Sequence, residues 1–197
     1  MRQGRFGSAL AIVLLAGCGG GGGGGGAGGS PAPLTPGQID DGIAGLPVAD
    51  PATLPTTGRA EYNGYIRAGL PTGPEGARVE YLADLRLDVN FAAAFDQIRG
   101  EATGFEARDE VPLSGTLAVT GGNIYGDTDP TAAYSFNGNV DGTLTRGADS
   151  YVIDASLEGE FLGRGEAAAR GLVFGDVTGP LGQEIFDGTF AATRRPD

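Results

Sequence analysis

Val79-Glu80-Tyr81-Leu82-Ala83-Asp84-Leu85-Arg86-Leu87-Asp88-Val89-Asn90-Phe91 carries an apolar residue at every odd position and, Leu82 aside, a polar one at every even position. Side chains on an extended backbone alternate between two faces, so this period of two predicts a strand with one face buried and the other in water. The pattern recurs. Tyr134, Phe136, Gly138, Val140, Gly142 and Leu144 alternate with Ser135, Asn137, Asn139, Asp141 and Thr143, and Tyr151 to Phe161 alternates in the same way with Val152 as its exception. Tyr134, Phe136, Val140 and Leu144 are therefore expected in the core, and Ser135, Asn137, Asp141 and Thr143 in solvent.

Weaker candidates bring the total to eight strands, at about 59–68, 79–91, 94–107, 112–120, 132–145, 150–162, 169–178 and 184–194. No segment shows a convincing helical period. Turn-forming clusters such as Pro71-Thr-Gly-Pro-Glu-Gly76, Gly126-Asp-Thr-Asp-Pro130 and Gly179-Pro-Leu-Gly182 separate them, and short connections join sequential antiparallel neighbours. The predicted fold is an all-β, eight-stranded antiparallel up-and-down barrel over residues 58–197. An interior of that size is just filled by side chains, and closure removes the exposed edges. The inward set of Tyr62, Tyr81, Leu85, Leu87, Phe136, Tyr151, Leu157, Phe161 and Phe190 is bulky enough to fill it.

A smaller unit repeats along the strands: glycine, any residue, then an apolar one. It occurs as Gly64-Tyr65-Ile66, Gly115-Thr116-Leu117, Gly142-Thr143-Leu144, Gly159-Glu160-Phe161 and Gly188-Thr189-Phe190. Residues two apart share a face, so each glycine is expected beside a bulky inward side chain, where it permits a bend and leaves room for a large neighbour.

The chain begins differently. Arg2 and Arg5 precede an apolar run from Ala9 to Ala16, a charged segment and a short hydrophobic one as in an export signal. The run is far shorter than the ~20 residues of a membrane-spanning helix. Leu15-Ala16-Gly17-Cys18 resembles the bacterial lipobox, and Cys18 is the single cysteine. The resemblance implies a signal peptide over 1–17, a diacylglycerol-bearing, acylated Cys18 as the mature N-terminus and, with Gly19 rather than Asp next, an outer-membrane lipoprotein. Residues 18–57 are rich in glycine and proline and are expected to form a disordered tether, because they bury too little apolar surface to offset chain entropy.

Composition narrows the function. The 13 basic residues are all arginine, are scattered from Arg2 to Arg195, and face 25 acids, a net charge of −12; a nucleic-acid partner or a polybasic membrane patch is not expected. Without histidine and with one cysteine, Ser-His-Asp and Cys-His nucleophiles and His or Cys zinc sites are absent. No catalytic residue, cofactor or metal site is expected. An enzyme using paired acids remains conceivable from composition, and Asp127 and Asp129 could be read as a sparse calcium loop, although two carboxylates fall short of the six to eight oxygens calcium takes.

The run Gly159-Glu-Phe161-Leu-Gly163-Arg-Gly165-Glu-Ala167-Ala-Ala-Arg-Gly171-Leu-Val173-Phe-Gly175, closing with Phe186-Asp-Gly188-Thr-Phe190-Ala-Ala-Thr-Arg194, resembles the last three strands of the transferrin-binding protein B β-barrel domain. Leu113-Ser-Gly115-Thr-Leu117 and Phe136 to Leu144 fit its middle strands, and Leu54 to Gly64 its beginning. The resemblance implies an eight-stranded barrel on a surface or periplasmic lipoprotein, as also in factor H binding protein. The residues are expected to form one barrel without the handle domain or second lobe of the two-lobed receptors, so transferrin binding is not implied.

The function expected is a membrane-anchored, noncatalytic binding or adaptor module for a protein or solute partner, with binding at the rim near Pro71–Gly76 and Gly126–Pro130 and a preference for basic partners. Two alternatives are a lipocalin-like carrier of an apolar ligand inside the barrel and an integral outer-membrane barrel, whose strands have the same period.

Overall fold

The structure is a computed structural model and describes residues 34–126 and 134–196. The expected signal peptide, Cys18, the glycine tract as far as residue 33, and Asp127 and Asp129 lie outside the described residues.

Eight strands close into an antiparallel barrel in which each pairs with its sequence neighbours and the last with the first. They are β1 (Arg59–Leu70), β2 (Val79–Asn90), β3 (Ile98–Glu106), β4 (Leu113–Gly122), β5 (Phe136–Arg146), β6 (Asp149–Leu162), β7 (Ala168–Gly179) and β8 (Gly182–Arg194). Closure leaves no unpaired edge, with β1 and β8 aligned from Tyr62↔Arg194 to Gly69↔Asp187.

Every residue of the predicted inward set is buried, and Tyr62, Tyr81, Phe136, Phe161 and Phe190 are among its largest fully enclosed side chains. Three rings surround Phe161 in tilted contact, with Phe136 at 4.6 Å and Tyr62 and Phe91 each at 5.8 Å between centroids. Of the repeated glycines, Gly159 lies beneath this packing, while Gly64, Gly115, Gly142 and Gly188 each lie against the backbone of a neighbouring strand. A Cβ on Gly159 would sit 2.5 Å from Phe136 Cζ and 2.7 Å from Phe190 Cζ. Gly159→Ala is therefore expected to cost about 1–3 kcal/mol through overpacking, seen as a lower urea midpoint at unchanged slope. A midpoint equal to that of the parent would show that the rings yield freely.

Two strands break the period, which explains their weak sequence signal. In β3 Ala102 and Phe105 are both inward although three residues apart, because the ladder shifts around Gly104, whose φ of +69° is a left-handed conformation suited to glycine. In β4 the same happens around Gly121, at φ +64°.

The start of β5 corrects one expectation. Tyr134 is half-buried on the outside and Ser135 is buried, the reverse of the predicted pair. The regular ladder begins only at Phe136↔Gly159. Ser135 lies in the preceding bend, its N–H donating to the Gly159 carbonyl at 2.8 Å and its carbonyl accepting from Tyr125 N–H at 2.8 Å, and its hydroxyl has no partner among the described residues. Asn137 is also only half exposed, because its side-chain oxygen accepts from Asn123 N–H at 3.1 Å.

A second correction concerns the tether. Residues 34–57 were expected to be disordered, and they fold onto the barrel. Thr35-Pro36-Gly37-Gln38 makes a capping box, with Gln38 N–H donating to Thr35 Oγ1 and Thr35 N–H to Gln38 Oε1 at 2.9 Å, and opens α1 (Pro36–Ile43). An eight-residue helix is not stable alone. This one is held because Ile39 and Ile43 pack on an apolar patch outside the barrel built from Tyr65, Leu162, Ala168 and Ala191, with Leu82 beside it.

Candidate functional site

Strand direction alternates, so the connections fall at two opposite ends. The β1–β2, β3–β4, β5–β6 and β7–β8 turns form a hairpin end. The β2–β3, β4–β5 and β6–β7 loops share the other end with residues 44–58 and the chain terminus. Pro71–Gly76 therefore lies at one end and Gly126 at the other, and the two expected rim segments cannot form a single surface. Residues 127–130 are outside the described set.

Both ends are stoppered. At the terminal end Pro51 and Leu54 are buried and Ala49 donates its N–H to the Phe161 carbonyl at 2.9 Å. Asp50 fixes this segment by accepting from Ala52 N–H at 3.0 Å. Tyr62 donates its hydroxyl to the Glu166 carbonyl at 2.8 Å, and burial holds that hydroxyl protonated well above the ordinary tyrosine range. The Glu166 carboxyl, 3.8 Å from Arg194, is raised by burial, with the arginine opposing. At the hairpin end the hydroxyls of Thr72 and Tyr81 are hydrogen-bonded at 3.0 Å, and Arg146 donates to the Thr72 carbonyl.

With the interior filled, two grooves stand out, and both open outside the barrel. The larger, about 850 Å³, runs along the starts of β1 and β3 and the end of β2, beneath the β2–β3 loop and Arg195-Pro196. Its charges are mostly paired. Glu61 accepts from Arg86 and from Arg195, each at 3.1 Å, and Arg99 pairs with Asp96. Desolvation would raise the Glu61 carboxyl, but the Arg195 hydrogen bond and the charges of Arg86 and Arg195 bring it below the usual range. Asp96 is lowered by Arg99 first and by Gly121 N–H as well. Such exposed pairs contribute little to stability. Phe95, 78% exposed, projects from the loop above this groove.

The second groove, about 430 Å³, lies between α1 and the outer face of β6, β7 and β8. Tyr65 forms its floor and donates its hydroxyl to Asp40 of α1. Burial and the neighbouring Asp40 carboxylate push that hydroxyl up to about 12. Glu160 and Arg170 pair at 2.7 Å on one wall, and Leu172, Ala191 and Tyr134 supply apolar surface.

Neither groove was anticipated from the sequence. The signals were present: Thr35-Pro-Gly-Gln38 as a capping box, and adjacent buried pairs Tyr65-Ile66, Phe161-Leu162 and Ala168-Ala169, which violate the period of two where α1 covers the outer face. Among the described residues no three carboxylates or thiols are gathered so as to hold a metal. No family model matches the chain, and no curated protein is significantly similar to it in sequence.

Proposed function

We propose that this chain is a membrane-anchored, noncatalytic binding module, lipidated on Cys18 and held at the outer membrane, with a barrel akin to that of transferrin-binding protein B, and that it engages its partner through the outside of the barrel. The filled interior carries this reading: seven aromatic side chains of the core are fully enclosed, and the two grooves described above are external. Charged residues such as Arg86, Asp88, Glu101, Asp141 and Asp154 occupy the outward face at mid-strand, which opposes a lipid-facing band.

The test is native mass spectrometry of the full chain purified under mild conditions, followed by organic extraction. The expected result is a barrel with no stoichiometric small molecule. A lipid or other apolar compound released in equimolar amount would favour the lipocalin-like carrier and overturn the proposal.

A further inference from the structure

The outer face of β5 to β8 combines two features absent from a merely solvated surface. Leu172 and Phe174 of β7 and Ile185 of β8 are 41%, 43% and 65% exposed, and they adjoin one another, because Phe174 pairs with Asp187 and Asp176 with Ile185 across the ladder. Leu172 also lines the groove beside α1, so the apolar surface continues into a depression. Monomeric proteins seldom expose contiguous large apolar groups without a use for them.

Beside this stripe three aspartates stand in one row. Asp141 of β5 is directly opposite Asp154 of β6, and Asp154 is directly opposite Asp176 of β7. Like charges directly opposite across a ladder are destabilising. None of the three forms an ion pair among the described residues, nor does Glu158, which is opposite Leu172. The surface is apolar at its centre and negative along its flank.

We infer that this face docks a basic amphipathic segment of a partner protein, whose apolar side chains cover Leu172, Phe174 and Ile185 and whose Lys or Arg residues neutralise the Asp141, Asp154 and Asp176 row. Charge selects this occupant. A second copy would bring another chain of net charge −12 against this face, and an anionic lipid surface would be repelled. A basic segment gains from both features, in the helix-in-groove manner of recognition. The inference rests on the reading that binding is external.

The test uses the full chain carrying Cys18→Ser and two labelled fourteen-residue peptides of helical amphipathic pattern, one of Leu and Lys and one of Leu and Glu, followed by fluorescence anisotropy. The Leu/Lys peptide is expected to bind saturably at one site and the Leu/Glu peptide not to bind. Leu172→Ser with Phe174→Ser should weaken binding at least tenfold. Asp154→Asn with Asp176→Asn should weaken it at least fivefold and flatten its salt dependence, while raising the thermal midpoint by removing the like-charge contact. This pair keeps the test valid even if the serine variant folds poorly. Glu101→Gln with Glu106→Gln, on the outward face of β3, should leave affinity within twofold. Equal loss in the β3 control would reveal general attraction to an acidic chain and overturn the inference. So would a dimer, or binding to phosphatidylglycerol vesicles, that Phe174→Ser abolishes. Failure of peptide binding by a chain whose barrel yields no extracted ligand would remove this face alone and leave external binding in place.

Discussion

Phe136→Ala is expected to lower stability by about 3–5 kcal/mol, the range for removing a fully enclosed phenylalanine ring. Phe136 is completely buried, its ring lies 4.6 Å from that of Phe161 and 6.2 Å from that of Phe190, and its edge fills the space over Gly159. The surrounding positions belong to a closed ladder and cannot collapse far into the vacancy, so both the transfer and the cavity contributions apply. Thr143→Ala, on the exposed face of the same strand, should stay within about 0.5 kcal/mol. Urea unfolding of the two variants checks the inward register of β5. Equal losses at the two positions would contradict it.

Cys18→Ser is expected to abolish membrane attachment. The proposal gives Cys18 several acyl chains, and at ~0.8 kcal/mol for each buried methylene two or more chains make attachment effectively permanent, whereas one chain is marginal. The parent should remain in the membrane pellet through a high-salt wash and dissolve in detergent. The serine variant should appear as soluble protein or as an uncleaved precursor. Identical processing and fractionation of the two would overturn the lipidation proposal while leaving the barrel and its outer face untouched.

Residue spacing made much of the barrel readable. The run from Val79 to Phe91 and the run from Tyr151 to Phe161 alternate, with Leu82 and Val152 as the exceptions, because each strand buries its inner face, and a single buried face imposes a period of two. The Gly-x-apolar unit was legible for a similar reason, since residues two apart must share a face; Ile66, Leu117, Leu144, Phe161 and Phe190 are all buried. The strands β3 and β4 were blurred because bulges at Gly104 and Gly121 shift the alternation by one residue, and a bulge leaves little trace in composition beyond the glycine itself.

The candidate surface was less accessible. Asp141, Asp154 and Asp176 are 13 and 22 residues apart in sequence, and only the pairing of β5, β6 and β7 sets them side by side. Leu82 and Val152 were equal exceptions to the pattern, yet Leu82 is packed beside α1 and Val152 stays 50% exposed. Sequence alone determined the all-β class of the barrel, the number of its strands and, the start of β5 aside, which side chains of its regular strands face inward, because these follow from the local alternation of a chain that buries one face. Tertiary structure decided where residues 34–57 go, which end each loop occupies and which outward residues become neighbours. Those depend on ladder register and on packing between segments far apart in the chain, which no local period encodes.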